Sequence, residues 1–164
     1  MKIEKIKKEL EEKLPVEERI KFLSYASGNI ITILAKYLIK TTGYTTVSKV
    51  LLREIRELGK NDAEKIAKIF EIKEKTPENV SKILKIIALC LGLTLKEENG
   101  TYIIACPYGE CVKKFKEPFI CKICSEYNQG VIEQILGPKF VIKRDKYLLY
   151  DGVCNFQIEE KVRE

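Results

Sequence analysis

The apolar residues of this 164-residue chain change their period at Gly92. Before it they recur every three or four positions, the spacing of amphipathic helices. After it short runs of Leu, Ile, Tyr, Val and Phe are broken by Asn99-Gly100, Gly137-Pro138 and Asp151-Gly152, the punctuation of strands and turns. Helices followed by an antiparallel sheet make the expected class α+β, a helical N-terminal half packed on a twisted sheet of about four strands. No low-complexity linker or internal repeat separates the halves. The chain therefore reads as one domain over 1–164, with a helical part over 1–91 and a sheet with a cysteine-rich loop over 92–164. Its 45% apolar content suffices for a core.

Within the helical half, Ile3, Ile6, Leu10 and Leu14 form a thin stripe ended by Pro15, suited to capping the domain or pairing with a partner subunit. From Val16 to about Thr41 the apolar face widens through Ile20, Leu23, Ile30, Ile31, Leu34, Tyr37 and Leu38. That width predicts a central, largely buried helix, costly at Gly28 unless something packs closely there, and stopped by Gly43. A third helix is expected over 45–58 with Gly59 as its terminator, then a short helical piece over 61–70. Thr76-Pro77-Glu78 reads as N-cap and first turn of a helix burying Val80, Ile83, Leu84, Ile87 and Leu91, with Cys90 a small core residue.

In the second half, Leu93-Thr94-Leu95 and Thr101-Tyr102-Ile103-Ile104 flank Asn99-Gly100, a strong hairpin signal. A loop over 106–120 follows, containing Pro107, Gly109 and Pro118. A helix over about 119–136 should end at Gly137-Pro138, and two strands near 139–150 and 153–159 should meet at Asp151-Gly152.

The chain has no histidine, which removes the commonest general base and the commonest metal ligand together. Five of its six cysteines fall in the last 59 residues, as Cys106, Cys111, Cys121, Cys124 and Cys154. Thiolates gathered in this way suit a soft cation. Cys121-x2-Cys124 places two sulfurs across one helical turn, Cys106 and Cys111 sit in a Pro/Gly loop at a strand end, and Cys154 begins the final strand. These five are the candidate metal ligands. Zn2+ is the expected ion, with iron or an iron–sulfur cluster sharing the ligand type; an all-cysteine site would be closed and structural. The competing readings are independent core thiols, disulfides, or a redox or nucleophilic cysteine whose pKa is lowered by Lys113, Lys114, Lys116 or Lys122. No catalytic residues and no dinucleotide-binding glycine motif stand out, so no reaction is expected.

The net charge of +6 divides as +5 over 1–75 and +1 over 76–164. Acids and bases alternate along the helices, the pattern of a solvated surface rather than a nucleic-acid arm. A DNA-binding reading would use residues 45–58 as recognition helix, with Lys49, Arg53 and Arg56 exposed; no basic arm accompanies it. The Lys/Glu/Ile-rich bias, three Gln and single Met resemble hyperthermophilic proteins. The charged N-terminus lacks an apolar leader, and the longest uncharged apolar run, Ile86 to Leu95, covers half a bilayer. A cytoplasmic protein without a membrane partner is expected.

Pro118-Phe119-Ile120-Cys121, then Gly130, Gly137 and Asp151-Gly152-Val153-Cys154-Asn155-Phe156, preceded by Cys106-Pro107, resemble the 4-vinyl reductase domain family over about residues 102–158. The resemblance implies a stand-alone archaeal member with a fold similar to TRAPP vesicle-tethering subunits and haem nitric-oxide-binding domains. It also implies a homodimer, a small apolar ligand held among helices by residues such as Phe22, Tyr25, Tyr37 and Tyr44, and a sensor rather than a reductase. In the family's phenol-type sensors zinc is held by a helix-start Cys, a Glu and two later Cys. The first and last of these fall on Cys121 and Cys154; the middle Cys falls near Tyr147, and the Glu near Arg144, with Asp145 next to it.

Overall fold

The computed structural model describes residues 6, 11–91, 93, 95–104, 106, 109–116 and 118–161. Ile3 and Leu10 of the N-terminal stripe, Thr94 and Pro107 lie outside the described residues; Ile6 is exposed and Leu14 half-buried. Helix α1 (Val16–Thr42) starts after Pro15 and stops at Gly43, whose positive φ of 84° lets its N–H turn back to the Ile39 carbonyl. Helix α2 (Tyr44–Ile69) follows at once. Helix α3 (Pro77–Cys90) is capped as its sequence predicts: the Thr76 hydroxyl accepts the Asn79 N–H at 3.3 Å, with Pro77 in the first turn.

Strands β1 (Leu95–Glu98) and β2 (Thr101–Ile104) form the expected hairpin, with Asn99 at φ 51° and Gly100 at φ 74°. Positive φ at both central residues makes a turn whose twist matches the strands it joins. Helix α4 (Gly109–Phe115) occupies what the sequence suggests is loop. Helix α5 (Phe119–Leu136) ends at Gly137, and β3 (Phe140–Lys146), a single turn α6 (Leu148–Asp151) and β4 (Cys154–Glu160) complete the chain. The sheet is antiparallel in the order β1-β2-β4-β3, which confirms the α+β class.

Two helices cross where side chains are absent. Gly59 does not terminate a helix; it lies in mid-α2, facing the backbone of Tyr127, while Gly130 of α5 faces the backbone of Arg56. A Cβ at either place would overlap the opposite carbonyl oxygen. Both glycines thus serve close approach, and the expected helix over 45–58 and the piece over 61–70 are one element. Around the crossing, Arg56 pairs with Glu126 and with Glu133 (3.3 Å), and Lys60 reaches Glu133 at 3.4 Å. Gln129 ties α5 to β3: its Oε1 accepts the Ile142 N–H at 2.8 Å and its Nε2 donates to the Phe140 carbonyl at 2.9 Å.

The main core lies between α2, α3, α5 and the sheet, around Val80, Ile83, Val131, Ile132, Tyr102 and Phe156. Each of these large side chains contributes about 1.5–3 kcal/mol through burial. Tyr102 and Phe156 are register partners on β2 and β4 with rings stacked at 5.1 Å. A second cluster joins Ala35, Val47, Val112, Phe119, Ile120 and Ile123.

Helix α1 is not the buried central helix its wide apolar face suggests. Only Gly28, Thr32 and Ala35 are buried, and the helix touches α2 and α4, with Ile31 and Ile39 packed beside Ala35 against the second cluster. Phe22 (65% exposed), Ile30, Ile33 (55%), Leu34 and Tyr37 (65%) face outward. The glycine crossing lets α2 and α5 fill the centre and leaves α1 outside. By length and composition α1 is also apolar enough to cross a membrane, a test that soluble core helices pass as well. Cys90, expected in the core, is exposed at the end of α3.

Candidate functional site

Cys121 and Cys124 lie three residues apart in the first turns of α5, so their side chains share one face. Cys121 is buried and Cys124 partly so. Cys154 opens β4 and is 4% exposed. The residue that gathers them is Arg144 of β3. Regular pairing of β3 with β4 breaks between Lys143 and Lys146, and such irregularities re-aim a side chain out of the strand's alternation. Arg144 Nη1 donates to the Cys154 sulfur, and the positive charge of the guanidinium also acts on Cys124 and Cys121. Its central carbon stands 5.5 Å above the Tyr147 ring and 5.9 Å above that of Phe156.

Burial dominates the chemistry of these thiols. It pushes Cys154 up from 9.0 to about 11 and raises Cys121 and Cys124, with Arg144 acting in the opposite direction more weakly. The three are neutral near pH 7, the reverse of an activated nucleophile. Arg144 then has no counter-charge among them, and its Nε and Nη2 are buried without a hydrogen-bond partner among the described residues.

Cys106 is half-buried, two residues beyond Ile104, the register partner of Cys154. Cys111 lies in α4, its side chain outside the described residues. Asp145 is exposed. Among the described residues no group of three or more Cys, Asp or Glu is arranged to hold a metal ion. The thiol chemistry suits a soft cation, but with a guanidinium set among the sulfurs these side chains do not form a metal site as they stand. Cys90, Cys121, Cys124 and Cys154 are free thiols.

Two adjoining clefts open beside the cluster. One, of about 440 Å³, is walled by Leu52, Pro118, Cys121, Lys122, Tyr147 and Tyr150. The other, of about 260 Å³, is lined by Arg56, Glu126, Gln129, Arg144, Tyr147 and Lys161. Ser125, Glu126 and Tyr147 belong to both. Phe22, Tyr25, Tyr37 and Tyr44, expected to line a ligand cavity, line neither: the first three are exposed on α1, and Tyr44 packs edge-on against Phe119 at 5.7 Å. Of the basic residues expected free on a recognition helix, Arg56 is ion-paired across the crossing and Arg53 pairs with Glu54 at 3.0 Å. Arg144 and Tyr147 carry the site without any motif to mark them; the one signal was that they stand where the resembled family has ligands.

No protein-family model matches this chain, and no curated protein matches its sequence.

Proposed function

We propose that this chain is a binding domain for a small, largely apolar molecule, with no reaction at its thiols. The observation that carries the reading is the cleft of about 440 Å³ walled by Leu52, Pro118, Tyr147 and Tyr150 beside the buried Cys121. Its size falls in the ordinary range for small-molecule sites, and aromatic walls with a few polar groups are their usual lining. Neutral, buried thiols fit a structural role better than a nucleophilic or redox one. The test is a titration with aryl and alkyl probes followed by tyrosine fluorescence. Tyr150→Ala should weaken binding about tenfold, since one exposed aromatic wall is lost. Equal binding by the variant overturns this placement of the ligand.

A second reading rests on a separate observation, the buried guanidinium without a counter-charge. Three thiolates, one divalent soft cation and one guanidinium carry no net charge, so loading Zn2+ would balance what neutral thiols leave unbalanced. Cys121, Cys124 and Cys154 would hold the ion as three thiolates, a set that departs from the Cys, Glu and two later Cys of the resembled phenol-type sensors, and the ion would supply folding energy. Elemental analysis with thiol titration on protein purified without chelator tests this. About one zinc per chain, with thiols titrating only after chelation, supports it; metal-free protein with accessible thiols refutes it. The exposed apolar face of α1, with Phe22, Ile33 and Tyr37 uncovered, supports pairing of two chains.

A further inference from the structure

Arg144 offers two kinds of donor edge, and only one is in use. Nη1 is spent on Cys154. Nε and Nη2, which together form the side-on fork of a guanidinium, are buried and unpartnered among the described residues. Two N–H groups in that parallel geometry match the two oxygens of a carboxylate. The fork is also held in place. Tyr147 and Phe156 stack near the guanidinium at 5.5 and 5.9 Å, and β3 anchors its stem.

The charges around it are already committed. In the cleft that Arg144 lines, Glu126 pairs with Arg56, and Glu133 pairs with Arg56 and Lys60. The Gln129 amide is engaged at both ends. That leaves Arg144 and Lys161 as positive groups in this cleft for which no ion pair is seen among the described residues. The neighbouring apolar cleft meets this one at Tyr147, so a molecule lying across both would place an apolar body against Leu52, Pro118 and Tyr150 and an anionic end at Arg144.

We infer that the ligand is an amphipathic monocarboxylate, aryl or short-chain, which displaces the Tyr147 ring from beside Arg144 so that its carboxylate is taken bidentately by the Nε/Nη2 fork. This inference rests on the small-molecule reading and names the ligand's chemical class. A metal–thiolate centre would answer the same guanidinium charge from within, so the two are separable in metal-free protein.

The experiment is calorimetric titration of the full chain, reduced and chelator-treated, with 3-phenylpropionate and with its neutral amide. The expected result is a preference of about tenfold for the carboxylate, the scale of a charge-assisted pair. Arg144→Lys keeps the charge and removes the fork, and should lose most of that preference while the amide binds as before. A second measurement needs no variant: the Arg144 Nε–Hε resonance should move on adding 3-phenylpropionate and stay in place with the amide. Equal affinity for the two probes, or an unmoved Arg144 resonance on carboxylate binding, overturns the carboxylate inference and leaves the cleft reading intact. Binding of neither probe at millimolar concentration overturns both.

Discussion

At Cys154, burial has a measurable cost at alkaline pH. Folding holds this thiol neutral up to about 11, whereas the unfolded chain loses the proton near 9.0. A raised folded-state value means the native state binds the proton more tightly, so the stabilisation is complete below pH 9 and is lost as pH rises from 9 toward 11. The amount at stake is roughly 2–3 kcal/mol. Urea midpoints of reduced, metal-free protein between pH 8 and 11 should therefore fall, and Cys154→Ala should fall less steeply. Identical slopes would mean the thiol is more solvated than its 4% exposure indicates. Arg144, which sits over Cys154, was hidden at this scale of reading. An arginine near the end of a strand usually points to water, and only the broken register of β3 against β4 turns this one inward.

Among the elements, the α2–α5 crossing concentrates the largest sensitivity to single atoms. Gly59→Ala and Gly130→Ala each add one methyl where a backbone carbonyl already stands, so the helices must separate. Overpacking of this kind costs about 1–3 kcal/mol, offset in part by alanine's helix propensity of about 1 kcal/mol. Both variants should lower the urea midpoint, the double variant by less than the sum, because one displacement relieves both clashes. Additive effects would show that the two contacts are independent. Local signals made several elements legible beforehand: Thr76-Pro77 set the start of α3, Asn99-Gly100 the hairpin, and Gly137-Pro138 the end of α5. Gly59 misled, since a glycine after a helical run looks like a terminator until the partner helix is known. Helix α4 was hidden because its Gly and neighbouring Pro residues read as loop.

For the whole molecule, the outward face of α1 is an unanswered apolar surface. Phe22, Ile30, Ile33, Leu34 and Tyr37 are exposed together, and helices apolar on several sides are normally covered. Sequence periodicity could show that α1 has an apolar face but not which neighbour would cover it. A second copy of the chain is the expected cover. Sedimentation should give a dimer, and Ile33→Glu with Leu34→Glu should give a monomer of unchanged helicity. Retention of the wild-type chain on neutral lipid vesicles, lost in the same variant, would identify a bilayer as the cover instead.

The sheet order also sets a sequence of events. The β1–β2 and β3–β4 pairs each join neighbours along the chain, but β2 meets β4 across about fifty intervening residues, with Ile104 opposite Cys154. Closing so long a loop is slow compared with forming a hairpin. The cover that Ile104 of β2 gives Cys154 is in place only after that closure, which makes this thiol a built-in clock for the last step of folding. Pulsed alkylation during refolding should then find Cys154 still reactive after the two helix cysteines have gone silent.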